Sequence, residues 1–478
     1  MGIFYFGMYI NYYVGCIFQI KRLYNTLYLI EKTVREGGKG AIMSIMYQKK
    51  IEVRQSVDVF VAGGGPAGVA AALVAARAGK SVFLAEGEAC FGGMGTSGLV
   101  PVFMMFGDGV NFLAGGIGRE IYDKINDMKG PKDAAISKTS CPAELMKRLY
   151  DKLLTEAGVK MSLMTQVVDI VKEGQEVKQL ICHAKSGFFA IEAKMVVDCT
   201  GDGDICAWAG APVEMDETMP GTLCSLWGYI DYEKRQQNPV NVHEQLMRAF
   251  EDGGIFTVND PHHSGMFRIG EHTAGGNMGH AFGINALDEQ SVTEHLIACR
   301  KMMPEFEAFY KKYIPGFENV TLLQTGALMG IRESRRIMGD YVLDMADFTA
   351  RAVFDDEIGR YCYPVDIHPS KPDPKLYAAF EKEFGKTGRY GKGESYGIPY
   401  RTLTPRNLDN VLVAGRCIST DRKLQGSVRV MPGCYITGQA AGMAACEALD
   451  KGTDIRGIDV HVLQKRLLDM GAFLPNFK

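Results

Sequence analysis

The chain has 478 residues, of which 46% are hydrophobic and 56 are glycine, so it is long enough for two or three domains with sizeable cores. Its 53 basic and 56 acidic side chains leave a net charge of -3, which gives no electrostatic reason to expect nucleic-acid binding. None of the twelve cysteines forms a C-x-x-C pair, and thiols scattered through apolar runs such as "VVDCTG" favour a reducing compartment, expected to be the cytoplasm, over a disulfide framework.

The first 45 residues are predicted to be an N-terminal extension. Residues 2–20 carry no charge and are followed by two basic residues, so the segment is about long enough to cross a bilayer. Its four tyrosines and its polar residues suit a hydrocarbon environment poorly. We favour a translation start at Met43 or Met46, with a membrane anchor and a peripheral extension as the alternatives. Membrane association is expected only if the extension is present.

The next predicted elements form a βαβ unit. Residues 57–62 are a nearly continuous apolar run that ends at glycines, as is typical of a strand buried on both faces. Residues 66–78 favour a helix, because a proline opens the first turn and Gly79 follows the end. Residues 81–85 predict a second strand, which Glu86 follows. This is the context that a dinucleotide-binding fingerprint requires.

Three glycines of this unit form a G-x-G-x-x-G pattern. Gly63 allows the tight turn, Gly65 lets the backbone approach a pyrophosphate, and Gly68 lets the helix pack on the strand. The phosphates would bind the free N–H groups of residues 66–69. Glu86 would accept hydrogen bonds from the ribose hydroxyls and would repel a 2′-phosphate, which disfavours an NADP-type ligand. The unit therefore predicts a bound dinucleotide, either FAD or NAD.

Further elements follow in chain order. Residues 92–118 are rich in glycine and methionine and predict an irregular loop near a ligand, and residues 141–158 predict a helix that feeds a strand at 159–164. An antiparallel meander is predicted next, with strands at residues 167–171, 177–183 and 188–193. The segment "KMVVDCTGDGD" then returns to a buried strand and a glycine turn.

Residues 213–395 have more aromatic, proline and charged residues and no βα alternation, which predicts a second domain. Its clearest helix covers residues 291–312, with an expected interruption at Pro304. The buried-strand pattern resumes at residues 410–416, and residues 435–450 predict a final helix of small side chains. The first domain is therefore discontinuous.

Three features favour FAD over NAD. The meander replaces the continued βαβ pattern of NAD dehydrogenases, and residues 201–204 supply a second glycine turn that could lie beside the first. The late strand is followed by a helix that starts near Pro432 and Gly433. A helix N-terminus aimed at the pyrimidine edge of a flavin would stabilise charge at N1 when the flavin is reduced.

The sequence resembles the bacterial FAD-dependent oxidoreductase family, which is similar to the flavoprotein part of heterodisulfide reductase and, more distantly, to the fumarate-reductase and glutathione-reductase flavoproteins. The likeness covers about residues 54–452. It depends on motifs such as "VAGGGPAGVAAALVAARAG", "FGGMGTSGLV", "VVDCTGDGDICAWAGAP", "GIRESRRIMGDYVL", "YCYPVDIHP", "IPYRTLTPRNLDNVLVAGRCIST" and "GSVRVMPGCYITGQAAGMAA". With the residue arguments above, the resemblance implies that FAD is bound by Gly63, Gly65, Pro66, Ala67, Gly68, Glu86, Gly93, Met94, Val167, Thr200, Gly201, Asp204, Gly415, Arg416, Gly433, Gly438, Gln439, Ala440 and Ala441.

We therefore predict an α/β fold with a Rossmann-like FAD-binding domain, which is discontinuous and carries a small antiparallel β-meander, and with a mixed α+β substrate domain. The predicted ranges are 1–45 for the extension, 54–212 and 396–452 for the FAD-binding domain, 213–395 for the substrate domain and 453–478 for the C-terminal segment.

Metal cofactors are not expected. Members of the heterodisulfide reductase group often hold iron–sulfur clusters with closely spaced cysteines, and this chain has no such run. Cys199 and Cys206 have six residues between them, which does not match the spacing of redox-active disulfide flavoenzymes. We predict that both are buried structural residues.

The substrate site has two candidate segments. In "GIRESRR", Arg332, Arg335 and Arg336 surround Glu333; if the segment is helical, Arg332 and Arg336 share a face and could clamp a carboxylate or phosphate. The alternative is a solvated helix surface with local ion pairs.

Four histidines form the second candidate segment, His262, His263, His272 and His280. A histidine could take the proton that leaves as hydride moves to the flavin. A metal site, with Glu271 as a further ligand type, is a rival, but the spacing fits no recognised zinc pattern. At least two of the four are expected to be ordinary loop residues. The predicted catalytic residues are His272, His280, Arg332 and Arg336, and Arg429 and Tyr435 could line the flavin.

The sequence thus predicts a flavin enzyme that transfers hydride between a small polar or carboxylate-bearing substrate and N5 of FAD, and passes electrons to oxygen, a quinone or a carrier protein. Two alternatives remain open. One is an electron-transfer subunit with no small substrate of its own, and the other is a non-catalytic scaffold that contains FAD.

Overall fold

The computed structural model describes residues 46–130, 136–216 and 219–478. The large compact unit of the chain is Arg54–Lys478. The N-terminal segment on which the three interpretations of the extension depend, residues 2–20, lies outside the described residues. Within the part of the chain that is described, no helix is long and apolar enough to span a membrane.

The large unit starts with a βαβ arrangement, as predicted, and continues into a meander. In chain order its first elements are β1 (Val53–Ala62), α1 (Pro66–Arg77), β2 (Val82–Ala85), α2 (Ile117–Met128), α3 (Ala143–Glu156), β3 (Lys160–Ser162), β4 (Gln166–Glu173), β5 (Glu176–Ala184), β6 (Gly187–Asp198) and α4 (Asp204–Trp208).

The later elements comprise a second sheet with its helices and then the return to the first sheet. They are β7 (Val213–Glu214), β8 (Ser225–Gly228), α5 (Tyr232–Gln237), α6 (Val242–Asp252), β9 (Gly265–Arg268), β10 (Ala274–Asn277), α7 (Glu289–Tyr313), β11 (Thr321–Thr325), β12 (Arg336–Ile337), α8 (Met345–Ala350), β13 (Glu357–Tyr361), α9 (Pro374–Phe384), β14 (Tyr396–Pro399), β15 (Val411–Val413), α10 (Arg422–Val428), α11 (Met431–Lys451) and α12 (Val460–Asp469).

The central sheet has seven strands in the order β3-β2-β1-β6-β5-β4, with β15 pairing β6 beyond the end of β5. β1, β2 and β3 pair in parallel, as do β6 and β15, whereas β4, β5 and β6 are antiparallel. Residues 59–62 are fully buried because helices cover the sheet. The predicted α/β class with a Rossmann-like domain is confirmed.

β6 corrects one detail of the predicted meander. The sequence predicts separate strands for residues 188–193 and for the following "KMVVD" run, but the two form one strand of 12 residues. Its first half pairs with β5, and its second half pairs with β15, where Val196 lies opposite Val411. The strand continues because Lys194 is exposed and both of its neighbours are buried, so the alternation of faces is not interrupted.

Asn410, just before β15, connects β5 and β6 through its side chain. Its side chain accepts a hydrogen bond from the Val177 N–H (2.8 Å) and donates to the carbonyl oxygens of Val177 (2.8 Å) and Lys194 (3.0 Å). The residue is buried, so the backbone groups that it pairs have little access to water.

Asn410→Ala is expected to destabilise the protein by about 2–4 kcal/mol, because buried backbone groups lose their partners. The shift is measured as the midpoint of chemical denaturation. Asn238→Ala, at an exposed helix end, is the matched control and is expected to change stability by less than about 0.5 kcal/mol. Equal shifts for the two variants would contradict the bridging role of Asn410.

The two helices of small side chains, α1 and α11, pack against each other. Gly438 and Gly442 of α11 face the backbone of Ala67 and Ala71 of α1, and a Cβ atom at either glycine would overlap it. Glycine at these two positions therefore sets how closely the helices approach. This contact places α11 beside α1, the helix that follows the first glycine turn.

A second core lies under the four-stranded sheet β11-β8-β10-β9 and contains Trp227, Met303 and Phe309. α7 runs unbroken from Glu289 to Tyr313 with Pro304 inside it, so the predicted interruption is wrong. Buried aromatic residues after Pro304 hold the helix on this core, which offsets the one hydrogen bond that proline removes.

Residues after β11 return to the first core. Ile337, Phe348, Tyr361 and Tyr396 all pack in the cluster that contains the central sheet. The first three belong to the range 213–395 that the sequence assigns to the substrate domain, and Tyr396 begins the range 396–452 that it assigns to the FAD-binding domain; these boundaries stay a prediction.

Candidate active site

The first glycine turn has the geometry that the fingerprint predicts. Gly63 has φ +90°, and a Cβ atom there would lie 2.6 Å from the carbonyl oxygen of Cys199, so only glycine fits. A Cβ atom on Gly68 would overlap the carbonyl oxygen of Gly63. At Gly65 the position of an added Cβ has no atom within 4 Å among the described residues. The turn is thus tightly packed on two sides and open in front of Gly65.

The N-terminus of α1 faces this opening with its backbone. No described side chain caps the helix at Gly65, and no acidic residue lies in its first turn. The uncapped N–H groups and the positive end of the helix dipole suit an anionic ligand. A dinucleotide pyrophosphate therefore fits the space in front of Gly65.

Glu86 follows β2 and holds the turn from the side. Its Oε2 accepts a hydrogen bond from the Gly64 N–H (2.7 Å) and its Oε1 accepts one from the Glu88 N–H (2.8 Å). Burial raises the pKa of Glu86, although these hydrogen bonds act in the opposite direction. The carboxylate thus orders the glycine turn, and its role at the ribose stays a prediction.

Glu86→Ala is expected to weaken FAD binding about 10- to 100-fold, because hydrogen bonds to a charged group contribute about 1.5–3 kcal/mol. The measurement is fluorimetric titration of the apoprotein with FAD. Glu192→Ala, at an exposed position of β6, is the matched control and is expected to bind as the wild type does. Unchanged affinity in Glu86→Ala would refute the ribose role.

The second glycine turn is held by Asp198, at the end of β6. This fully buried carboxylate accepts hydrogen bonds from the backbone and hydroxyl of Thr200 and from the Cys206 N–H. Gly201 lies against the guanidinium group of Arg416, which donates to Asp202 at 2.6 Å. The Nε of Arg416 is buried and has no hydrogen-bond partner in the described structure.

Two further loops approach the same helix end. A Cβ atom on Gly93, in the short 3-10 turn Gly93–Gly95, would lie 3.2 Å from the Cα of Gly65. A Cβ atom on Gly415, after β15, would lie 3.3 Å from the Cβ of Ala67. The structure thus brings together four of the segments that the resemblance assigns to FAD: the first glycine turn, the second glycine turn, the 3-10 turn at Gly93 and the loop after β15.

The remaining predicted cofactor residues have contacts within the protein. Gly438, Ala440 and Ala441 are buried in α11, where Gly438 contacts Ala67 of α1, and Gln439 holds the start of α2 by accepting from the Ile117 N–H (3.0 Å). Small residues serve close helix contacts as well as ligand contacts, so the cofactor role of this run stays a prediction. Of the rest, Met94 lies in the 3-10 turn, Val167 lies on β4, Asp204 pairs with Arg335, and Gly433 packs on the carbonyl oxygen of Val428.

A cluster of three histidines lies beside the α11 end of this region: His262, His280 and His368, called the histidine cluster below. The ring centroids are 5.1 Å apart for His262 and His280, 4.4 Å for His262 and His368, and 5.1 Å for His280 and His368. They come from the loops before β9, after β10 and after β13. A cavity of about 330 Å³ is lined by His262 and His368 together with Tyr363, Asp366 and Tyr377.

Burial decides the charge of these imidazoles. It lowers the pKa of His262 to about 4 and that of His368 to about 3, and it also lowers that of His280. The positive charge of Arg332 acts in the same direction on all three. At neutral pH the three rings are therefore uncharged, with nitrogen lone pairs available.

Two carboxylates stand behind the histidine cluster. Asp260 Oδ2 lies 2.8 Å from Nδ1 of His280, and Asp366 Oδ1 lies 3.2 Å from Nε2 of His368. Burial alone would raise the pKa of both carboxyls, but the histidines, and for Asp366 also two arginines, hold the pKa values below their usual range. Both groups are therefore ionised.

Two arginines complete the site. Arg332 Nη1 donates to the carbonyl oxygen of Pro220 (2.7 Å) and the hydroxyl of Thr222 (2.9 Å). Arg429, two residues before α11, donates to the backbone and side chain of Asp366, both at 3.0 Å. Burial and the charge of Arg429 lower the pKa of Arg332, which still stays protonated.

Gln425 joins this site to the cofactor side. Its Nε2 donates to the carbonyl oxygens of Arg332 (2.9 Å) and Arg416 (3.4 Å). One side chain thus touches the segment that contains Arg332 and the segment that contains Arg416, which is predicted to bind FAD.

Two of the four predicted catalytic residues lie in the site and two lie outside it. His280 and Arg332 lie in the site, whereas His272 is exposed, with Nδ1 3.0 Å from the carbonyl oxygen of Ile230. The "GIRESRR" segment is not helical: residues 331–335 are irregular, and Arg336 pairs with Glu214 as part of β12. Arg336 is buried in ion pairs with Asp216 and Glu333, so it does not share a face with Arg332.

His368, Asp366, Asp260 and Tyr377 are absent from the residues that the sequence pattern singles out. The motif "YCYPVDIHP" contains Asp366 and His368 and was available as a signal, since an acid and a histidine between prolines are unusual in a plain turn. The cysteine prediction is confirmed, because Cys199 and Cys206 are buried and all eleven described cysteines are free thiols.

Comparisons with known proteins agree with the cofactor side of this site. The family model described as FAD dependent oxidoreductase matches residues 58–467. Solved structures similar to this chain include a geranylgeranyl bacteriochlorophyll reductase-like protein from Thermoplasma acidophilum (13% identity, TM-score 0.42, covering 87% of this chain and 83% of that chain). L-proline dehydrogenase from P. horikoshii is another, at 13% identity and TM-score 0.39, covering 88% of this chain and 99% of that chain. A search of the curated proteins found no match.

Proposed function

Because the chain belongs to the FAD-dependent oxidoreductase family, it is an oxidoreductase that uses FAD, and we propose that it transfers a hydride between a small carboxylate-bearing substrate and the flavin. When bound, FAD supplies the atom that accepts or gives the hydride, N5 of the flavin ring. The observation that carries the proposal is the pair of partly buried arginines, Arg332 and Arg429. The charge of Arg332 lowers the pKa of all three histidines of the cluster, and Arg429 donates to Asp366, which lines the cavity.

The residues on the cofactor side have separate tasks in this proposal. The turn at Gly65 and the N-terminus of α1 bind the pyrophosphate, Glu86 binds the ribose, and Arg416 adds a positive charge beside the second glycine turn. The N-terminus of α11 stabilises negative charge on the reduced cofactor.

The hydrogen-bond partners of Arg332 favour an anion on the substrate side. Arg429 is paired with Asp366, whereas Arg332 donates to the uncharged oxygens of Pro220 and Thr222. A substrate carboxylate at Arg332 would accept charge-assisted hydrogen bonds. Arg332 is already held at Pro220 and Thr222, so little side-chain entropy is lost when it binds.

Removal of hydride from a C–H bond also requires that a proton leave the substrate hydroxyl or amine. The uncharged histidine cluster is suited to receive it, and His280 has the ionised Asp260 beside it to stabilise the added charge. His272 and Arg336 have no such place in this proposal.

The test is anaerobic reduction of the bound flavin with a panel of metabolites. We expect the oxidised-flavin absorbance to be lost with one class of small hydroxy or amino acids, and not with the methyl ester of the same compound. Reduction by uncharged alcohols at the same rate as by acids would contradict the carboxylate assignment.

The finer assignments belong to the same proposal. The motifs support a likeness to the flavoprotein part of heterodisulfide reductase. With that likeness we propose a carrier protein as one electron acceptor. The eleven free thiols support a reducing compartment such as the cytoplasm. If a purified partner protein reduces the flavin and the whole metabolite panel fails, the chain serves electron transfer between proteins instead.

A further inference from the structure

We propose that His262, His280 and His368 bind one divalent transition-metal ion, with Zn²⁺ as the expected occupant. Each of the three residues offers one ligand atom, and these atoms lie within 4.8 Å of one another. A tetrahedral Zn²⁺ with nitrogens at about 2.0–2.1 Å needs nitrogen–nitrogen distances of about 3.4 Å. Metal binding would require the rings to rotate on their three loops, so that the stacked rings of His262 and His280 turn toward a common point.

The carboxylates next to the histidine rings are the second observation that supports a metal site. Histidines that bind metals usually have the other ring nitrogen on a carboxylate or carbonyl, which fixes the ring and its tautomer. Asp260 and Asp366 lie next to His280 and His368 at 2.8 Å and 3.2 Å, although Oδ2 of Asp260 makes no aligned hydrogen bond among the described residues. Asp260 is itself held by the hydroxyl of Tyr377 at 2.9 Å.

An unpaired nitrogen is the third line of support. Nδ1 of His368 is buried and has no hydrogen-bond partner in the part of the chain that is described, although Nε2 of the same ring faces Asp366. A buried ring nitrogen without a partner is uncommon, and a metal ion would satisfy it. His295 differs, because both of its ring nitrogens contact backbone carbonyls, as expected of a histidine that serves only the fold.

Three protein ligands leave one coordination position open, as in catalytic zinc sites. The cavity of about 330 Å³ that His262 and His368 line gives a small molecule access to that position. If the proposed function holds, the three histidines would hold the ion as ligands instead of one of them acting as the base, and the ion would supply, through a bound water of lowered pKa, the group that accepts the substrate proton. Metal binding itself does not depend on that reaction.

The test uses the full-length FAD-loaded protein without a histidine tag, stripped with a chelator and dialysed. We expect one equivalent of Zn²⁺ by elemental analysis after reloading, and a visible absorption band from Co²⁺ bound by nitrogen ligands. His368→Ala should lower Zn²⁺ affinity at least about 100-fold, and Asp260→Asn about 10- to 100-fold. His461→Ala, at an exposed position on α12, should leave the affinity unchanged.

Folded, yellow wild-type protein that binds less than a tenth of an equivalent would overturn the proposal. So would equal losses in His368→Ala and His461→Ala, because the metal would then be bound elsewhere. Asp260→Asn keeps all three rings and serves as the readout if His368→Ala fails to fold. Binding of one equivalent without reduction by any metabolite would uphold the metal site and reject the proposed function.

Discussion

Gly65→Ala is expected to abolish FAD retention and to leave the apoprotein folded. The Cβ atom would project into space that no described protein atom occupies within 4 Å, and φ at this residue is -66°, which alanine adopts easily. The same space is where the pyrophosphate must approach the backbone. We expect a loss of FAD affinity of at least about 100-fold, roughly 3 kcal/mol, measured by titration of the apoprotein.

Two other glycines of the unit provide the controls. At Gly79, just after α1, φ is +80° and an added Cβ meets open space in the described structure, so Gly79→Ala should cost about 1 kcal/mol of stability and bind FAD normally. Gly68→Ala should fail to fold, because its Cβ would overlap the carbonyl oxygen of Gly63. Normal FAD binding by Gly65→Ala would show that the cofactor phosphates lie elsewhere.

Arg332→Gln is expected to lower kcat/KM for the substrate found in the metabolite panel by about 100- to 1,000-fold, with FAD still bound. The site would lose the charge-assisted hydrogen bonds from this guanidinium to the substrate carboxylate, a loss of about 3–4 kcal/mol that falls mainly on KM. Arg332→Lys should restore only part of the activity, because lysine keeps the charge and lacks the planar fork.

Arg300→Gln is the matched control, since this arginine is exposed on α7 and lies outside the site. It should behave as wild type. Because Arg332 also bonds to Pro220 and Thr222, the thermal midpoint is recorded for every variant. An unchanged KM in a folded Arg332→Gln protein would remove this arginine from substrate binding.

Tertiary contacts override the local pattern in two segments of the chain. The spacing of Arg332 and Arg336 suits a helix, but residues 331–335 lie between the edge of the second sheet and β12 and are held by long-range contacts. Local propensity is a weak signal that such contacts outweigh. In α7 tertiary packing keeps the helix continuous through Pro304, where the local sequence predicts an interruption.

The sequence by itself determined the dinucleotide-binding half of this protein. The strand, glycine turn, helix and Glu86 are contiguous, and each position is required by backbone geometry that can be recognised locally, such as the positive φ of Gly63. Only the tertiary structure decided the part that contains the histidine cluster. His262 and His368 are 106 positions apart, and only the packing of three loops brings them with His280 into one cluster. No local periodicity encodes contacts over such a separation, because they depend on how the second core docks on the first.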